Sequence, residues 1–206
     1  MRSGTSRAET MKGGRWVMVG SIRLEEVVTI LLAVAVGDLV VVMAEKIVPL
    51  RDNLALAVSG AKVAADMAEA DLQKFAPALA PHVLSQLKRL AFAGASYVTS
   101  GEAKVALLAA GFDVHGAYIA AARYEAGMNQ PEALLSRALG NVAFTVLGGE
   151  DAGTQARFAE KLSTMFPEGK PAVERAGLPA ALLNAGQETI GAPVDSRVMW
   201  RGQPAT

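Results

Sequence analysis

The chain has 206 residues, with 20 Lys and Arg set against 20 Asp and Glu. Zero net charge excludes a nucleic-acid binder held by a strongly basic field, and 51% apolar residues exclude wholesale disorder. Cysteine is absent, so disulfides, a thiolate nucleophile and a cysteine zinc site are excluded too.

The apolar residues are mostly small. There are 39 Ala and 20 Gly, against two Trp, three Tyr and six Phe. Small residues let backbones approach closely, yet each buries little area. At roughly 25 cal/mol per Å², an Ala-rich core stabilises less per residue than one of Leu and Phe. Such a chain gains from neighbours that bury more of it, so assembly is the first expectation.

Residues 1–14 (MRSGTSRAETMKGG) are polar, and no apolar signal region with a cleavage site follows them directly. Trp16-Val17-Met18-Val19 then reads as a short strand or an arm laid on a neighbour. Residues 27–44 (VVTILLAVAVGDLVVVMA) hold one charge, Asp38. Three readings fit this stretch. As a membrane span, its eleven Val, Leu and Ile residues contribute roughly −3 to −6 kcal/mol, against about +3 for Asp38. As strands, its nine β-branched residues favour Val27 to Val36 and Leu39 to Met43, joined at Gly37-Asp38. Ala44-Glu45 would then turn into Lys46 to Leu50. As a buried helix it is simply apolar all round.

From Asp52 onward the spacing predicts helices. Asp52 caps one through Phe75, with Leu54, Val58, Val63, Met67 and Leu72 as its stripe. Pro81 opens the next, towards Tyr97. Thr99 and Glu102 have capping-box spacing for a helix through Leu108. Further helices are expected over Asp113 to Met128, Pro131 to Leu147 and Thr154 to Phe166. Pro167, Pro171, Pro179 and Pro193 break the chain beyond Phe166, and the end (VDSRVMWRGQPAT) reads as extended, anchored by Trp200.

Chemistry is sparse in the sequence. Asp113-Val-His115 is the one tight carboxylate–histidine pair, and a metal there needs further ligands from afar. His82 sits in a first helical turn. Phosphate-loop and nucleophile-elbow motifs are missing. Gly148 to Thr154 is glycine-rich ahead of a helix, but Glu150 and Asp151 would repel a phosphate. Asp66, Glu69 and Asp71 read as a wet helix face, Lys88-Arg89 as an isolated basic pair, and Arg123-Tyr124-Glu125 as a polar-aromatic group on a helix, with Tyr124 packed and its hydroxyl at the rim or, alternatively, as interface anchors. Residues 39–50 (LVVVMAEKIVPL), after Gly37-Asp38, resemble β elements of phage decoration proteins over that short stretch alone, without a diagnostic motif.

These readings predict a mainly α protein, with α+β as its variant. An Ala-rich helical body (51–190) follows a β-rich or apolar N-terminal element (1–50) and precedes an extended tail (191–206). The expected function is a non-catalytic structural subunit docking onto protein partners as a homo- or hetero-oligomer, a virion component being one form of it. No catalytic, cofactor-binding or metal residue is assigned, and no cofactor is expected. The alternatives are a chain anchored in a membrane through residues 27–44, and a small ligand-binding or enzymatic domain using Asp113 and His115.

Overall fold

A computed structural model describes residues 30–60, 62–74, 79–96, 104–138, 142–147, 152–167, 170–191 and 194–203. They form nine strands and four helices. Strands β1 (Leu31–Val36), β2 (Leu39–Ala44), β3 (Ile47–Arg51) and β4 (Leu54–Gly60) come first. Helices α1 (Lys62–Lys74) and α2 (Ala80–Ser96) follow. Next are β5 (Lys104–Asp113), β6 (Gly116–Glu125), β7 (Glu132–Arg137) and β8 (Val142–Leu147). Helices α3 (Ala152–Met165) and α4 (Leu178–Ile190) and strand β9 (Asp195–Trp200) complete the described chain.

All strand pairs are antiparallel. One sheet runs β8-β1-β2-β9 and the other β3-β4-β5-β6-β7. Three cores stack the molecule into four layers. Leu56, Leu107 and Tyr118 of the five-stranded sheet pack on Leu72, Leu87 and Leu90 of α1 and α2. The opposite face of that sheet meets the four-stranded sheet through Ala55, Ala57, Ala110 and Ala117 on one side and Ala33, Ala35 and Ala44 on the other. Leu32, Val34, Val41 and Met43 then face Phe158, Leu162 and Leu182 of α3 and α4. Seven buried alanines therefore lie where the two sheets approach each other, and seven more lie where α1 and α2 meet the five-stranded sheet.

The mainly α expectation is overturned: the architecture is two sheets between two pairs of helices. The helices expected over Asp113 to Met128 and Pro131 to Leu147 are strands β6 to β8, and the one ending at Leu108 is the first half of β5. For β5 and β6 the physical cause lies in the layering. Strands covered on both faces have no polar side, so they lose the two-residue alternation that marks a half-exposed strand. Runs such as Leu107-Leu108-Ala109-Ala110 and Ile119-Ala120-Ala121-Ala122 are buried throughout. Alanine's helix preference is below about 1 kcal/mol per residue, and tertiary packing overrides it. The helix expected from Asp52 is β4 followed by α1. Thr99 and Glu102, and the Trp16 to Val19 run, lie outside the described residues.

Residues 31–44 are a hairpin in the middle of the four-stranded sheet. Val36 pairs with Leu39 across Gly37-Asp38, Gly37 takes φ 54, and Asp38 is exposed at the tip. No described helix is long and apolar enough to cross a membrane. Pro179, read from sequence as a breaker, sits at the start of α4, where its missing N–H is harmless. Gly191 closes the same helix at φ 72, donating its N–H to Gln187 O at 2.8 Å. A Cβ on Gly191 would meet open space. Gly191→Ala is therefore expected to lose only the left-handed backbone energy, about 1 kcal/mol, read as a lowered midpoint in urea.

Candidate functional site

Asp113, the sequence's one candidate for acid–base or metal chemistry, ends β5 at the tip of the β5–β6 hairpin. Its side chain is 4% exposed. Oδ1 accepts from Arg137 Nη1 at 2.9 Å and from the His115 backbone N–H at 2.8 Å. Oδ2 accepts from Arg137 Nη2 at 2.6 Å and from the Ala80 N–H at 3.0 Å. A carboxylate offers about four lone-pair positions, and all are taken. The hydrogen bonds from Arg137 hold its carboxyl well below the usual carboxylate range against the opposing effect of burial, and the Ala80 and His115 N–H groups lower it further. The same bonds raise the Arg137 guanidinium.

These contacts make Asp113 a latch. It caps α2 from a distant strand, and α2 has no acidic residue in its own first turn. It also ties the hairpin turn to β7 through Arg137, whose guanidinium lies 5.9 Å from the Tyr118 ring centre. Burial, then the Asp113 charge, pushes the Tyr118 hydroxyl upward. His115 and His82 are both exposed. The structure thus brings Asp113 and His115 together only through a backbone N–H. Among the described residues, no three His, Asp or Glu side chains gather in a metal-binding group.

Several of the other polar groups also have structural partners. Asp71 pairs with Arg89, and Gln73 donates to Glu69 at 3.3 Å. Glu150 and Asp151 lie outside the described residues. Arg123 Nε donates to Glu132 Oε2 at 2.5 Å, which raises the Arg123 pKa. Tyr124 meets Phe92 of α2 edge to face, with ring centres 5.3 Å apart. The polar-aromatic group at positions 123–125, read from sequence on a helix, therefore sits on a strand, β6, beside β7, with the Tyr124 ring packed.

The two flanks of the sandwich differ. On one flank, β3 is short, carries Pro49 and has a register shift between Pro49 and Arg51. Above it, β9 opens with Asp195, Ser196 and Arg197. Prolines, irregularities and charges of this kind block edge-to-edge pairing. On the other flank lie β7 and β8, the outer strands of the two sheets among the described residues. Both keep unbroken register with their inner neighbours. Strand β8 (VAFTVL) has no charge and no proline. In β7 (EALLSR) the two charges lie at the ends and are neutralised by Arg123 and Asp113.

This second flank also carries exposed apolar groups. Leu134 of β7 is 48% exposed. A groove of about 160 Å³ runs beside it, lined by Ala121, Arg123, Glu132, Leu134 and Leu147. Phe92 is 48% exposed on α2, the helix over β6 and β7. Sequence reasoning missed this surface because it read the segment Pro131 to Leu147 as a helix. The signal was present: VAFTVL is rich in β-branched and aromatic residues.

No family model matches the chain, and a search of curated proteins finds no match.

Proposed function

We propose that this chain is a building block of a larger protein assembly and docks onto its neighbours through the β7–β8 flank. One observation carries the reading: one flank has a proline, a register shift and charges that keep strands from pairing, whereas on the opposite flank both strands keep unbroken register without proline, β8 has no charge and β7 has charges only at its ends. A regular edge whose charges stand only at the ends of one strand, with an exposed Leu between them, is a template for another chain. In a stable native protein such an edge is covered. The exposed Leu134 and Phe92, and the small-residue content that leaves each core modest, support the same conclusion.

The test is native mass spectrometry of the full chain taken from its own cells, with hydrogen exchange on the same sample. A mass above that of one chain is expected, with slow exchange over residues 132–137 and 142–147. Leu134→Lys should return the chain to its single-copy mass of 21.4 kDa without loss of its circular dichroism spectrum. A native chain found alone, with both edge strands exchanging freely, would overturn the reading.

A further inference from the structure

We infer that the neighbour on this flank is a second copy of the same chain, its β7 paired antiparallel with β7 so that Leu134 lies on a two-fold axis. The inference rests on the assembly reading above and specifies its partner. It starts from what symmetry permits. Residues directly opposite in an antiparallel pair point to the same face of a sheet. A two-fold axis normal to the sheet preserves faces, so a residue on the axis stands opposite itself.

In β7 the two central candidates are Leu134 and Leu135. Leu135 already packs into the core beneath α2. Leu134 is half exposed beside the groove, on the other face. Placing Leu134 on the axis sets Ala133 against Leu135 and Glu132 against Ser136, so apolar meets apolar and no like charges face each other. Placing Leu135 there would set Leu134 against Ser136.

Charge and size agree with this occupant. The strand's acid and base are each paired within their own chain, Glu132 with Arg123 and Arg137 with Asp113, so neither needs a charge from the neighbour. The same axis brings β8 towards its own copy, and VAFTVL meets itself without a charge. Four layers about 10 Å apart, on strands about 20 Å long, give each copy a flank of roughly 800 Å². A stable interface needs about that area per partner.

The absence of cysteine makes the test clean. Leu134→Cys places two thiols across the axis within the roughly 4.5–5.5 Å Cα spacing of opposed residues, which a disulfide spans. Purified Leu134→Cys should form linked dimers under mild oxidation. Ser136→Cys alone should not, because its two copies stand four residues apart along the strands. A mixture of Glu132→Cys and Ser136→Cys chains should link. In sedimentation the wild-type chain should show twice its mass, and Leu134→Lys should weaken association by roughly 30-fold or more. A wild-type chain that stays single at all concentrations would overturn the inference. So would an assembly whose Leu134→Cys copies link no better than Ser136→Cys; the broader assembly reading would then survive with a different partner or register.

Discussion

Replacing Gly111 by alanine is expected to destabilise the fold by about 3 kcal/mol, a large part of the 5–15 kcal/mol that holds most domains together. Gly111 sits in β5 opposite Leu54 of β4. A Cβ there would lie 2.1 Å from Asn53 O and 3.0 Å from Leu54 Cα. Both obstacles are backbone, so only movement of a strand relieves the overlap. That movement stretches the bond from Phe112 N to Asn53 O, now 3.0 Å, in the middle of the five-stranded sheet. Gly186 of α4 makes the contrast. Its added Cβ would lie 2.0 Å from Met43 Cε, an equally severe overlap by distance alone. Here the obstacle is the end of a flexible thioether that can swing aside. Urea melts should therefore rank Gly111→Ala well below Gly186→Ala. Equal midpoints would show that the β4–β5 approach is looser than described.

The second large effect is at Asp113. Asp113→Ala should cost about 3 kcal/mol, because it strands the partly buried Arg137 and removes the cap of α2 together. The latch also sets an acid limit. The folded-state pKa of Asp113 is depressed below its unfolded value of about 3.9, so its contribution is complete above that pH. It is lost progressively as pH falls below about 4 through the folded value. Asp113→Asn keeps the shape but not the charge. Its deficit relative to wild type should be full at neutral pH and should shrink steadily towards about pH 2. A deficit constant across that range would show that the ionisation of Asp113 does not hold the latch. His115→Ala is expected to leave stability nearly unchanged, since its backbone N–H, not its ring, reaches Asp113.

The sequence was legible where one face of an element is wet. Helix α2 has its Val83, Leu87 and Leu90 stripe buried against polar residues outside, and the spacing predicts it. Helix α3 is legible for the same reason, through Phe158 and Leu162. The β1–β2 hairpin was one of three readings, made visible by Gly37-Asp38 between β-branched runs. Strands β5 and β6 were hidden because both their faces are covered, and because alanine fills the space between sheets where larger side chains would hold them apart. The docking flank was hidden with them: an edge exists only once the order of strands is known, and order is not a local property. The latch was half visible. Asp113 and His115 are neighbours in sequence, whereas Arg137 and Ala80 reach Asp113 from 24 and 33 residues away.

The strand order also sets a timetable for synthesis. The hairpin of β1 and β2 leaves the ribosome before every other described element, yet its flanking strands come from residues 142–147 and 195–200. Until residues 142–147 emerge, these two highly apolar strands have only each other as lateral neighbours. Contacts so distant along the chain close slowly, and unpaired β-branched segments are the ones that recruit wrong partners in the meantime. Until residues 195–200 follow, β2 stays open along its whole outer length, and a chain lacking β9 exposes that edge to misassembly.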